Sequence, residues 1–281
     1  MKISSAILGM ALSVSAIATY ADTFKVCADP LNPPYSDKAQ TGFENKIAAL
    51  FASSLGQEIE YFWLPQRIGF LRNSLNAFTD ENAVDSKEFK CDVVMGMPEG
   101  SDMVLATQPY YHSTYVLLIA KGRGWDNIQT AQQLAELPLA QQAKLKIAMF
   151  DRGPGTDWLQ KHDLLDQGIP YQSMTGDSQH NVAMQIEQDL KAKKIDMVML
   201  WGVFAGHIIS GHPNDYHVIE MHSESGIKFD YQMTMGVRRG DKARQEMLNK
   251  LIVEKSTDIA AILAQYHIPL LPITQSSAKK D

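Results

Sequence analysis

Cys91-Asp92-Val93-Val94-Met95-Gly96-Met97-Pro98, followed by Gln108-Pro109-Tyr110-Tyr111 and the apolar run over 115–120, decides the architecture. The first stretch reads as a short buried strand closed by a glycine and a proline. The last reads as a second buried strand, entered through a Pro-Tyr-Tyr hinge. Unbroken apolar runs of this length, flanked by helical patterns, are those of a parallel sheet covered on both faces. A chain that leaves one such sheet through an aromatic-proline hinge predicts an α/β protein of two lobes with a central cleft.

Working outward, residues 24–28 form a strand, ended by Asp29-Pro30-Leu31-Asn32-Pro33-Pro34-Tyr35, whose three prolines forbid regular structure. A helix over 43–55 gathers Ile47, Leu50, Phe51 and Leu55 on one face and is capped by Gly56. A strand over 58–63 and a helix over 67–77 follow. Polar, aperiodic 79–90 reads as a surface insertion.

Beyond the hinge, 125–142 holds one or two short helices. Residues 146–150 form a strand, and 156–165 a helix with Thr156 as its N-cap. An amphipathic helix over 181–193, a buried strand over 196–200 and a helix over 203–209 come next. Strands over 217–221 and 231–237 and terminal helices over 242–263 complete the pattern, with a frayed tail at 276–281. The terminal helices bury their apolar faces best against the first lobe. Lobe 1 is therefore read as discontinuous, 22–114 plus 238–281, and lobe 2 as 115–237.

The first 21 residues are set aside as a signal peptide. Lys2 supplies the positive start, 7–17 the apolar core, and Thr19-Tyr20-Ala21 the small-residue cleavage site. The remainder suits two modest domains, and its 45% apolar content is ample for their cores. A formal charge of −6 argues against nucleic acid and against an anionic membrane surface as partners. Two cysteines, Cys27 and Cys91, would meet an oxidising compartment. Cys27 lies late in its strand and Cys91 opens another, an offset that competes with the ~7 Å Cα limit for a bridge. A bridge and two free thiols both stay open.

Ligands of open parallel sheets bind outside the carboxyl ends of the strands. The residues there are Asp29, Tyr35, Gly96, Pro98, Asp151, Thr156, Trp201 and Gly202. Phe150-Asp151-Arg152-Gly153-Pro154-Gly155-Thr156 presents backbone N–H groups at a helix start, an anion site or an ordinary strand-to-helix turn. Tyr110, Tyr111 and Trp201 are placed to stack a ligand or to fill a core. Arg67, beside Gln66 at a helix start, is expected to face the cleft with its planar donor fork. Arg72, five residues on, projects elsewhere. His207, His212, His217 and His222 recur every five residues, the period of neither a helix face nor a strand face, so no metal site is expected. No G-x-S-x-G elbow or carboxylate pair stands out, and neither catalytic residues nor a cofactor are called.

These segments resemble a family. Val26-Cys27-Ala28-Asp29-Pro30, Gly42-Phe43-Glu44-Asn45-Lys46-Ile47-Ala48 and Trp63-Leu64-Pro65-Gln66-Arg67-Ile68-Gly69-Phe70-Leu71-Arg72-Asn73 carry the likeness in the first lobe. Cys91 to Gly96, Pro109-Tyr110-Tyr111 with Ser113-Thr114-Tyr115-Val116, and Trp201-Gly202 with Ala205-Gly206 extend it through most of the chain. Together they resemble type II periplasmic solute-binding proteins, in particular the MxaJ/XoxJ branch associated with quinoprotein methanol dehydrogenases. Amino-acid-binding relatives place an arginine before the Pro-Tyr element to clamp a carboxylate. Here that loop is Pro98-Glu99-Gly100-Ser101-Asp102-Met103-Val104, without arginine. The Trp201-Gly202-Val203-Phe204 loop is bulky for a ligand cleft, and the 79–90 insertion is long for the branch.

The resemblance implies a monomeric, non-enzymatic periplasmic protein serving a pyrroloquinoline-quinone (PQQ)-dependent methanol dehydrogenase. The alternative is the solute-binding subunit of an ABC importer. Gln66, Arg67, Tyr110, Asp151 and Thr156 would then supply the polar contacts.

Overall fold

The computed structural model describes residues 22–82, 88–173 and 181–274. The expected signal peptide, the middle of the expected insertion at 83–87 and the tail at 276–281 lie outside the described residues.

In chain order the first half runs β1 (Thr23–Ala28), β2 (Leu31–Asn32), β3 (Ser36–Asp37), α1 (Phe43–Leu55), β4 (Glu58–Trp63), α2 (Phe70–Asn73), β5 (Val93–Pro98), β6 (Leu105–Ala106) and β7 (Tyr111–Ala120). Then come α3 (Gln132–Ala135), α4 (Leu139–Gln142), β8 (Ile147–Phe150), α5 (Pro154–Lys161), β9 (Gly168–Tyr171), α6 (Val182–Lys191) and β10 (Met197–Trp201). Last are α7 (Gly202–Ser210), β11 (Tyr216–Glu220), β12 (Asp230–Val237), α8 (Lys242–Glu254) and α9 (Ser256–Ala264).

The strands join in the order β4-β1-β5-β12-β7-β10-β8-β9, with β11 on β7 and β6 on β12. The sheet is mixed. β4, β1 and β5 are parallel, as are β10, β8 and β9, but β12 and β7 between them run antiparallel to their neighbours. An apolar run buried on both faces reads alike in either direction, so the runs that predicted a parallel sheet were silent on this point.

β7 belongs to both halves. Tyr111 to Thr114 pair with β12, whereas Tyr115 to Ile119 pair with β10. The hinge therefore lies inside one continuous strand rather than at a break before it. β12 pairs with β5 and β6 over Met233–Val237, so residues 230–237 sit in the first lobe's sheet. The return crossing falls before Asp230, not after Val237 as the lobe boundaries drawn from sequence had it.

Phe24 and Val26 of β1, Phe43, Ile47 and Phe51 of α1, and Leu248, Leu251, Ile259 and Leu263 of α8 and α9 form one core. In the other half β7 shows its two faces. Leu117 and Ile119 point to a cluster with Trp158 and Leu159 of α5, while Val116 and Leu118 point to one with Ile186 and Leu190 of α6. Arg238 ties the start of the terminal helices to the first half. It donates to the Asp92 carboxylate at 2.5 Å and to the Cys91 carbonyl at 2.6 Å.

Cys27 and Cys91 are bridged, with Cα atoms 5.4 Å apart. Strand register alone would set Cys91 well below Cys27, since Val26 faces Val93 and Cys27 faces Val94. The backbone bends at Lys90 and Asp92, however, and carries Cys91 back toward its partner. The sequence could not supply that bend.

Two helices differ from expectation. The one expected over 67–77 shrinks to Phe70–Asn73, because Gly69 takes a left-handed φ of 86° and stops it from starting earlier. The helix expected to begin at Thr156 begins at Pro154 with Gly153 as its N-cap, so Thr156 lies inside it. β9, interrupted by Pro170, and the short β2, β3 and β6 carry too little pattern to be read from sequence.

Candidate functional site

The cleft is built around β7. Pro109 ends the preceding loop and delivers Tyr110 and Tyr111, 4% and 2% exposed, to the start of the strand. The proline-rich loop after β1 brings Tyr35, the first turn of α1 brings Phe43 and Glu44, and the junction of β10 and α7 brings Trp201 and Phe204 from the other half. The rings are in contact. Tyr35 lies 5.2 Å from Phe43 and 5.4 Å from Phe204, Phe43 lies 5.9 Å from Tyr111, and Tyr110 lies 4.9 Å from Tyr111, all by centroids. These are the separations of favourable edge-on and tilted aromatic pairs. Trp201 belongs to the second half's sheet yet is buried in the first half's apolar cluster.

Glu44 is the acidic side chain at this point. The Tyr110 hydroxyl donates to its carboxylate at 3.4 Å and itself accepts from the Gly96 N–H at 3.2 Å. Gly96 takes a φ of 66°, and a Cβ there would stand 2.6 Å from Glu44 Oε1, so the carboxylate rests directly on glycine backbone. Glu44 makes no ion pair among the described residues. Withdrawal from water pushes its carboxyl up to about 8, and the Tyr110 hydrogen bond only partly offsets this. The Tyr111 hydroxyl is buried beside Tyr35 and Trp201, and burial holds it well above its ordinary value.

The two halves also touch at the cleft mouth. Asn181, the N-cap of α6, donates to the Leu31 carbonyl at 3.4 Å and to Asn32 Oδ1 at 3.3 Å. Behind the hinge, residues 266–274 strap both hinge strands. Leu271 N–H donates to the His112 carbonyl at 2.9 Å, Ser113 Oγ to the Pro269 carbonyl at 2.6 Å, and Thr274 N–H to Gln232 Oε1 at 2.7 Å. His112 sits between the Pro272 carbonyl and the Asp230 carboxylate, at 2.7 and 2.9 Å. The strap presses on α7, since a Cβ on Gly202 would lie 2.3 Å from Pro269 and one on Gly206 2.4 Å from the Tyr266 carbonyl oxygen.

Of the residues named from sequence, the structure brings Tyr35, Gly96, Tyr110, Tyr111, Trp201 and Gly202 together here. Asp29 is spent on its own loop, accepting from the Leu31 and Gln66 amides at 2.8 and 2.5 Å. Gln66 accepts from Asn32 at 3.3 Å and is exposed. Arg67 and Pro98 are exposed, and the Arg67 side chain makes no hydrogen bond or ion pair among the described residues; it does not join the aromatic cluster. Asp151 is exposed, its carboxyl held below the usual range by the Ser173 amide at 3.0 Å. Thr156 turns its hydroxyl back onto the Phe150 carbonyl. At the start of α5 an anion would thus meet the Asp151 carboxylate rather than a free hydroxyl.

Sequence reasoning missed Glu44. A signal existed: it stands three, four and seven residues before Ile47, Ala48 and Phe51, on the buried stripe of α1. An acid on an apolar stripe is an exception that needs a reason.

Two α/β halves, crossed by shared hinge strands and closed around a central cleft, define a type II periplasmic binding-protein-like fold. No model of a known protein family matches the chain. Among named relatives, Protein MoxJ of Methylorubrum extorquens is 24% identical over 268 residues, covering 90% of this chain and 83% of its own. The crystal structure of periplasmic binding protein XoxJ from Methylobacterium extorquens AM1 aligns with TM-score 0.68 at 29% identity, over 89% of this chain and 99% of that one. MxaJ from Methlophaga aminisulfidivorans MPT aligns with TM-score 0.69 at 22% identity, over 88% and 100%. Over most of its length the chain is thus similar to the MxaJ- and XoxJ-type periplasmic binding proteins.

Proposed function

We propose that the protein is a non-enzymatic periplasmic accessory factor for a PQQ-dependent methanol dehydrogenase, acting in that enzyme's maturation, activation or assembly. The likeness to MoxJ, MxaJ and XoxJ suggests the class of partner. One observation carries the choice of scaffold over carrier. The centre of the cleft is occupied by the protein's own Tyr35, Tyr110, Tyr111, Trp201 and Phe204, and its charged group is an acid rather than a carboxylate-clamping arginine. The closed mouth at Asn32 and Asn181 and the strapped hinge support the same reading, since an importer subunit works by opening and closing.

Affinity capture or cross-linking with the dehydrogenase from the same cell tests it. Enrichment of the enzyme, together with reduced dehydrogenase activity in a deletion strain, is the expected result. No enrichment and unchanged activity overturn the proposal. The importer reading predicts instead a solute that raises the melting temperature and bends the molecule about Ser113 to Tyr115. A solute present at 100 times its Kd adds about 2.7 kcal/mol of stability.

A further inference from the structure

The sheet ends in two edge strands, β9 and β4, and the chain treats them differently. β9 is four residues long and carries Pro170, which blunts an edge against stray pairing. β4 has neither device. It runs for six residues in unbroken parallel register with β1, from Glu58 opposite Thr23 to Trp63 opposite Ala28. No described strand pairs with its other side.

The direction of its backbone groups follows from one bond. Leu64 N–H donates to the Ala28 carbonyl at 3.0 Å, so by the two-residue period the amides of Glu60 and Phe62 also face β1. The N–H and C=O groups of Ile59, Tyr61 and Trp63 therefore point away from the sheet, along an edge of about 13 Å. Side chains sort by face in the same way. Ile59, Tyr61 and Trp63 lie half-buried on the α1 side, where the rings of Tyr61 and Trp63 stack 4.6 Å apart. Glu58 and Glu60 project, exposed, from the other face. Beside Glu60 lies a hollow of ≈ 580 Å³, lined also by Asp22, Lys25, Glu88 and Asp92. Lys25 is paired with Glu88 and Asp92 with Arg238, whereas Glu58, Glu60 and Asp22 have no cation paired to them among the described residues.

We propose that β4 is a docking edge for an extended segment of a protein partner, which adds to the sheet as a further strand and alternates basic with apolar residues. Its backbone satisfies the outward groups of Ile59, Tyr61 and Trp63, the source of affinity when a strand joins a sheet edge. Its apolar residues cover the stacked rings, and its basic residues stand opposite Glu58 and Glu60 with the hollow to receive their length. Charge excludes a second copy of this chain as the occupant. Pairing β4 with itself would crowd the glutamates of both strands onto one face.

The test measures binding of a capped, labelled hexapeptide alternating lysine and valine to the purified protein, by fluorescence anisotropy and by hydrogen exchange. The peptide is expected to bind and to slow exchange at the Ile59, Tyr61 and Trp63 amides, which are open in the free protein. N-methylation of one set of peptide amides, the valines or the lysines, should abolish binding, and methylation of the other set should spare it. The abolishing set is the valines for an antiparallel strand and the lysines for a parallel one. Exchanging lysine for glutamate in the peptide should weaken binding by about tenfold. The double variant Glu58→Lys with Glu60→Lys should reverse that preference. Ile59→Pro removes only an outward N–H, so it keeps the ladder to β1 and should lose the peptide. Overturning results are no binding at about 1 mM peptide, equal affinity for the glutamate peptide, indifference to both methylations, or protection elsewhere than β4. Self-association of the protein that Ile59→Pro abolishes would also overturn the proposal, by giving the edge to a second copy. No dehydrogenase enters the measurement, so this inference and the accessory role can each fail alone.

Discussion

Replacing Glu44 by glutamine keeps the shape of the side chain and removes its titration, and this gives the sharpest prediction on stability. The folded carboxyl is pushed up to about 8, against an ordinary value of 4.5. Below pH 4.5 both folded and unfolded chains hold the proton, and the acid costs nothing through ionisation. As pH rises, the unfolded chain releases its proton near 4.5 while the folded chain keeps it until about 8, so wild-type stability falls through this window. At 1.36 kcal/mol per unit, the ionisation penalty is about 1 kcal/mol at pH 5 and about 4 kcal/mol at pH 8. The glutamine variant bears no such penalty, and any change from exchanging acid for amide is the same at both pH values. Urea denaturation of both proteins at pH 5 and pH 8 should therefore show the variant gaining on wild type by about 3 kcal/mol between the two. A gap that changes by less than about 1 kcal/mol would refute the assignment of Glu44 as a water-starved, unpaired acid.

Removing the disulfide as Cys27→Ala with Cys91→Ala opens a loop of sequence separation 64 and should cost about 4 kcal/mol, read by denaturant midpoint; a loss under 1 kcal/mol contradicts the loop argument. Gly206→Ala places a methyl 2.4 Å from the Tyr266 carbonyl oxygen, with backbone on both sides of the clash. It should lose about 1–3 kcal/mol, whereas Gly211→Ala, with nothing within 4 Å, should be near neutral; equal effects would mean that the strap yields freely. Arg67→Ala should shift stability by no more than about 0.5 kcal/mol, since the side chain is exposed and unpaired among the described residues. A large fall in melting temperature would make it a structural residue of the first lobe.

Much of the architecture was legible because it rests on local periodicity. The helical stripe of Ile47, Phe51 and Leu55, the apolar run after Tyr115 and the helix signals after Lys242 each survive in the folded chain as the elements they suggested. The Pro-Tyr-Tyr element and the Trp-Gly element also pointed at the cleft, since aromatic residues at strand ends in an α/β chain have few other uses. The family likeness rested on those same segments. Direction, partnership and distance were not legible. Nothing in an apolar run states whether it lies parallel or antiparallel, so the mixed sheet and the place of β12 had to be seen. The bridge between Cys27 and Cys91 depended on a bend beside Asp92. Arg67, Asp151 and Thr156 had suitable chemistry, but their surroundings turned two outward and bound the third back to the end of the preceding strand. The stripe of α1 held a signal for Glu44, but its surroundings were set only when Gly96, Tyr35 and Tyr110 closed over it from three separate segments. Sequence by itself determined which residues would be buried and in what local form, because burial and helix or strand period are properties of neighbours in the chain. Tertiary structure alone decided which buried groups meet, because the charge and hydrogen-bonding state of a side chain depend on atoms brought to it from far along the sequence.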